Sequence, residues 1–102
     1  MAGRKTRRLA PIHPGMVLKN ILEEAELTTN ALALALRVPA NRIGAIIKGQ
    51  RGITADTALR LARYFGTSAQ MWINLQARYD LEVAEDSLKE QIEHEVLPRT
   101  AA

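Results

Sequence analysis

The sequence has no cysteine, which excludes disulfide frameworks, CxxC redox chemistry, thiolate nucleophiles and cysteine-based zinc sites. Its two histidines, His13 and His94, lie far apart, and a structural zinc site needs four ligands, so no metal or other cofactor is expected. Aromatic residues are scarce at 4%, and glycine and proline number only six and four. Such a composition is that of one ordinary soluble domain. No apolar run approaches the ~20 residues of a membrane span, and the basic N-terminus is not followed by a hydrophobic stretch of the signal-peptide kind. No nucleophile–base pair or converging set of carboxylates is spaced for catalysis, so an enzyme is not expected. What is present, 102 residues at 47% hydrophobic and 25% charged, suits one globular domain. A domain of this size buries roughly 65% of its unfolded surface. The chain reads as a small cytosolic or nuclear protein that binds rather than catalyses.

The charge is unevenly placed. Residues 1–63 carry eleven basic and four acidic side chains, a net +7, whereas residues 64–102 carry three basic and seven acidic, a net −4. Apart from Lys19, the positives fall into a group at Arg4, Lys5, Arg7 and Arg8 and a second at Arg37, Arg42, Lys48, Arg51, Arg60 and Arg63. Such a split points to one end that meets a polyanion and another that could meet a basic partner, although a solvated surface would look the same.

Residues 1–11 read as a flexible basic arm, too poor in apolar side chains to offset the entropy of ordering. Residues 12–102 read as a single domain with a helical extension over about 80–97. Pro14 suits the first turn of a helix, and Val17, Leu18, Ile21, Leu22 and Ala25 recur at helical spacing over 14–26. Thr28 is placed to cap a second helix through Leu36, which Pro39 separates from a third running to Lys48 and stopped by Gly49. Thr54 and Gly66 bracket a fourth helix, with Leu59, Leu61, Ala62 and Phe65 as its apolar positions. Ser68 opens a fifth, carrying Met71, Trp72, Leu75 and Tyr79. Beyond it, Leu81, Ala84, Leu88, Ile92 and Val96 keep helical spacing. Ser87 with Glu90 matches a capping box for a separate sixth helix, while the alternation of Ile92, His94 and Val96 also permits a short strand. The expected class is all-α, with five or six short helices.

The segments 28–36 and 39–48, joined by a three-residue turn, have the composition of a helix-turn-helix. Leu32, Leu36, Val38, Ile43 and Ile46 supply the apolar contacts, and Ala33 is the small residue at the crossing. At about 100° per residue, Ile43, Ile46 and Ile47 face inward, while Asn41, Ala45 and Lys48 face outward beside Arg42 and Gly44. A face of small residues, one amide and adjacent cations suits insertion into a DNA major groove. Asn41 and Arg42 are the candidates for base readout, with Ala40 and Ala45 available to thymine methyls. Thr28, Thr29, Lys48 and Arg51 would hold phosphates, and Arg37 in the turn joins this set. For each the plainer alternative stands beside it: an ion pair for Arg42, a dipole-compensating cation for Lys48, an exposed first-turn residue for Asn41.

The pattern Leu27-Thr28-x₃-Leu32-Ala33-x₂-Leu36-x-Val38-x₄-Ile43-x₂-Ile46-x₂-Gly49 resembles the helix-turn-helix of the Cro/phage-repressor (XRE) family. His13-Pro14-Gly15, the run from Ile53 to Ala62, Phe65-Gly66-Thr67-Ser68, Trp72, Leu75-Gln76 and Tyr79-Asp80-Leu81-Glu82 resemble more narrowly its HigA antitoxin (VapI-type) subfamily. The resemblance covers about residues 12–84. It implies a lambda-repressor-like domain, a cytoplasmic homodimeric repressor on a palindromic double-stranded operator, and neutralisation of a small basic HigB toxin, a RelE-like mRNA endonuclease. A plain transcriptional regulator without a toxin is the alternative. One departure is Arg37, which stands at a turn position usually held by Gly in XRE proteins.

Dimerisation is expected of such a module, because one recognition helix makes few contacts and half-sites lie about 34 Å apart. Trp72, Leu75, Tyr79, Leu81, Leu88 and Ile92 are the candidates, with core packing the alternative for Trp72. The acidic tail reads either as a solvated face or as a docking surface for a cationic toxin. His13 reads as a helix-entry residue rather than a ligand, and His94 as a solvated side chain.

Overall fold

The computed structural model describes residues 10–100. Except for Ala10 and Pro11, the basic arm expected over residues 1–11 lies outside the described residues. Among the described residues the chain forms five helices and no strand: α1 (Pro14–Ala25), α2 (Thr29–Leu36), α3 (Ala40–Ile47), α4 (Ala55–Phe65) and α5 (Ala69–Glu95).

Local chemistry sets most boundaries. His13 Nδ1 accepts the Gly15 N–H at 2.8 Å and caps α1, with Pro14 at the first helical position. Thr28 Oγ1 accepts the Ala31 N–H at 3.0 Å to cap α2, and Ser68 Oγ accepts the Met71 N–H at 3.1 Å to cap α5. Gly49 and Gly66 take the left-handed conformation after α3 and α4, as expected of C-terminal glycines. Arg37 does the same after α2, at φ 62° and ψ 44°, closing the turn with Val38 N–H on Ala33 O at 3.0 Å. A non-glycine residue there costs about 1 kcal/mol.

The core joins Leu18 and Leu22 of α1, Leu32, Ala33 and Leu36 of α2, Ile43 and Ile46 of α3, Ala58 and Leu61 of α4, and Trp72 of α5, with Ile53 from the intervening loop. Gly15 permits a close approach of two backbones beside it. A Cβ at this position would overlap the backbone carbonyl oxygen of Ile46, so α1 lies directly on the last turn of α3. His13-Pro14-Gly15 is therefore a cap, a helix start and a contact point in three consecutive residues.

Three expectations are corrected. The separate sixth helix and the short strand both give way to one continuous helix through Glu95. Ser87 caps nothing: its hydroxyl donates back to Val83 O at 3.1 Å and Ala84 O at 3.4 Å, inside the helix. No Gly or Pro interrupts residues 69–95, and pairs four residues apart, such as Gln76–Asp80 and Arg78–Glu82, line the helix. Leu59, assigned to the apolar side of α4, is instead 64% exposed.

Candidate nucleic-acid interface

The helix-turn-helix is formed by α2, the Arg37–Pro39 turn and α3. Ile43 and Ile46 are fully buried and Ile47 partly so, which fixes the rotation of α3 and turns its other side outward. On that side Ala40, Asn41 and Lys48 are exposed, and Gly44 and Ala45 are half-covered. A Cβ added at Gly44 would meet nothing within 4 Å, so no contact inside the protomer requires glycine there. Thr28 and Thr29 share a groove with Ile47, which brings the N-terminus of α2 beside the C-terminal end of α3. The Thr28 hydroxyl is already engaged as the cap of α2. Arg37 is exposed in the turn, and Arg51 is exposed in the loop after α3.

Arg42 is placed differently from its neighbours. Its side chain is only 22% exposed, and Nη1 donates to Asp56 Oδ2 at 2.7 Å. The ion-pair alternative for Arg42 is thus what the folded protomer contains. Asp56 in turn accepts from Arg60 Nε through Oδ1 at 3.1 Å, and Arg60 Nη1 donates to the carbonyl of Leu36 at 2.8 Å. One carboxylate therefore ties α3 to α4, and α4 reaches the last turn of α2. The Arg60 hydrogen bond, followed by that of Arg42, holds the Asp56 carboxyl below its ordinary pKa.

Sequence reasoning did not select Asp56 or Arg60 for this cluster. Their spacing of four on a helix marks them as a pair, but the reach from Arg42 to Asp56 spans fourteen residues and depends on how α3 meets α4.

The dimerisation candidates divide into three groups. Trp72 is fully buried and donates Nε1–H to Thr67 Oγ1 at 3.2 Å, so it has no surface to give a partner and belongs to the core. Leu75 packs partly against the core, and the half-buried Tyr79 sets its ring edge-on to His13 at 4.8 Å. Leu81, Leu88 and Ile92 remain exposed on α5, where Leu81, Ala84 and Ile92 line a shallow groove of about 250 Å³.

A family model described as Helix-turn-helix matches residues 18–72, which spans α1 from Leu18 to Trp72 of α5. Virulence-associated protein I of Dichelobacter nodosus is 56% identical over 75 residues, 72% of this chain and 69% of that protein. The structure of an addiction module antidote protein of a HigA family from Coxiella burnetii superposes with a TM-score of 0.84 at 46% identity, over 89% of this chain and 100% of the other. The chain belongs to the helix-turn-helix family, in its HigA antitoxin branch. A second HigA-type structure, the Pseudomonas aeruginosa antitoxin HigA with the higBA promoter, gives a TM-score of 0.86 at 49% identity, over 88% of this chain and 99% of that one. The HigA-type family is non-enzymatic. Among the described residues no helix is long and apolar enough to cross a membrane.

Proposed function

We propose that this HigA-type chain is the antitoxin of a type II toxin–antitoxin pair, acting as a homodimer that binds a palindromic operator and represses its own promoter. The observation that supports this most directly is the outward side of α3, where small residues, an amide and flanking cations lie opposite three isoleucines turned inward. Such a helix fits a major groove about 12 Å wide. Asn41 reads adenine by its side-chain amide, Ala40 and Ala45 meet thymine methyls, and Arg42 reaches the base edges at the N-terminal end of the helix. Thr28, Thr29, Arg37, Lys48 and Arg51 hold the phosphates on either side. The Pseudomonas aeruginosa HigA with its promoter, alike over 88% of this chain, supports the same partner.

Two copies pair through α5, with Leu81, Leu88 and Ile92 supplying the exposed apolar contacts and Leu75 and Tyr79 bordering them. The pair places its two copies of α3 about 34 Å apart, one DNA turn. The second partner is a small basic HigB-like endonuclease, neutralised by protein–protein binding. The acidic C-terminal half of α5 is suited to attract such a protein, opposite charge raising the association rate. A repressor of this kind acts in the cytoplasm.

Footprinting on the protein's own upstream region, with and without the product of the adjacent reading frame, tests the reading. Protection of two half-sites one turn apart, together with co-purification of that product, is expected. Protection without any toxin partner would instead indicate a stand-alone regulator, and absence of protection at low salt would overturn the DNA role.

A further inference from the structure

We infer that Asp56 is a specificity-determining positioning residue of the DNA interface, acting by holding Arg42 so that it meets DNA from one place. The inference rests on the operator-binding reading above.

Arg42 is the third residue of α3, in the part of a recognition helix that reaches base edges. An unrestrained arginine at that position would serve any sequence, because its long side chain can swing to the nearest phosphate. The Asp56 carboxylate opposes that swing. Nη1 is bound to Asp56 Oδ2 at 2.7 Å, and Nε is buried with no hydrogen-bond partner among the described residues. Nη1 is therefore committed to Asp56, and the Arg42 side chain keeps only 22% of its surface open to solvent.

The anchor is itself anchored. Asp56 Oδ1 is bound by Arg60 Nε at 3.1 Å, and Arg60 Nη1 is bound to Leu36 O at 2.8 Å. The position of the Arg42 head group is thus set jointly by α2, α3 and α4, and its ordering is complete before DNA arrives. Preordering of this kind favours the sequence whose groups fall where the donor already points. Asp56 has a second effect. A carboxylate beside a phosphate-binding surface disfavours every duplex alike, so the contacts made only on the right sequence decide the outcome.

The test uses the full-length protein with its own upstream duplex and a random duplex of equal length, each titrated across a salt series. Wild type is compared with Asp56→Asn, Asp56→Ala and Asp56→Ala combined with Arg42→Ala. Thermal melts establish that each variant is folded. Both single variants should hold random DNA as tightly as wild type or more so, and the own-to-random affinity ratio should drop about tenfold, the equivalent of ~1.4 kcal/mol. On random DNA the log–log salt slope should steepen by about 0.9, one additional phosphate neutralised, and Arg42→Ala should abolish the steepening. Equal losses on both duplexes with an unchanged slope would mean that Asp56 only supports the fold, and would overturn the inference. A ratio that stays at the wild-type value in both variants would overturn it as well. Wild-type protein that does not prefer its own upstream duplex would remove the operator reading itself, before any variant is compared. Should both Asp56 variants fail to fold, Arg60→Gln loosens the same anchor from its other side and must lower the ratio, or the inference is wrong.

Discussion

Gly15 lies directly against the carbonyl oxygen of Ile46, so α1 and α3 touch through backbone at this point. The oxygen belongs to a helix whose rotation is fixed by Ile43 and Ile46, and it cannot withdraw without moving the outward side of α3. Gly15→Ala should therefore destabilise the protein by about 2 kcal/mol or more, within the range of overpacked cores. Urea unfolding checks this: the midpoint should fall while the m-value stays the same. DNA binding should weaken at temperatures where the variant is still folded, since α3 must shift to admit the methyl group.

Gly44 makes the opposite prediction. No neighbour would meet its Cβ, so Gly44→Ala should stabilise α3 by about 0.5–1 kcal/mol through helix propensity alone. The added methyl projects on the side proposed to enter the groove, so affinity for the operator should fall while the melting temperature rises. A variant that gains stability and keeps full affinity would place the DNA elsewhere.

Trp72 and Ile92 should separate folding from pairing. Trp72→Ala removes a fully enclosed side chain and should cost about 3–5 kcal/mol, leaving little folded protein. Ile92→Asp changes an exposed position on α5 and should leave helicity and urea midpoint near wild type at protein concentrations low enough that both are monomeric. Sedimentation equilibrium should show the dimer weakened by Ile92→Asp and by Leu88→Asp. Undiminished dimers in both would exclude this stripe from the interface.

Asp56 gives a pH dependence of defined sign. Its folded-state pKa is lowered by the hydrogen bonds from Arg60 and Arg42, so in acid the unfolded chain takes up the proton first. The stabilisation is fully present above the unfolded carboxylate value of about 3.9 and is lost as pH falls through the lower folded value. Stability measured by urea unfolding between neutral pH and the acid limb should therefore fall less steeply in Asp56→Asn than in wild type. Parallel curves would show that the two arginines do not hold Asp56 in solution.

Lys48 and Arg51 are proposed to hold phosphates and Asn41 to read a base, and these roles respond differently to substitution. Neutralising Lys48 and Arg51 should weaken binding to every duplex and flatten the salt slope by about 0.9 for each phosphate no longer neutralised. Asn41→Ala should cost ~1–3 kcal/mol on the operator and little on random DNA. Gel-shift titrations on both duplexes distinguish the two patterns.

Much of the fold was legible in the residues because its signals are local. His13, Thr28 and Ser68 sit where helices start, Gly49 and Gly66 where they stop, and the three isoleucines of α3 declare which side is buried. The same local logic misled at Ser87 and Glu90, whose spacing imitates a cap. A capping box requires the backbone to leave the helix, and no Gly or Pro near Ser87 makes it do so. Leu59 misled for a related reason: helical spacing finds an apolar side chain but not whether another element arrives to cover it.

The amino-acid order by itself determined the first four helices, the helix-turn-helix and the outward face of α3, because caps, breakers and a 3.6-residue period act over a few residues. Only the tertiary structure decided that Trp72 is enclosed and that Asp56 holds both Arg42 and Arg60. Those facts depend on the angles and distances at which separate helices pack, and steric fit and charge geometry across such contacts are set by the whole core at once.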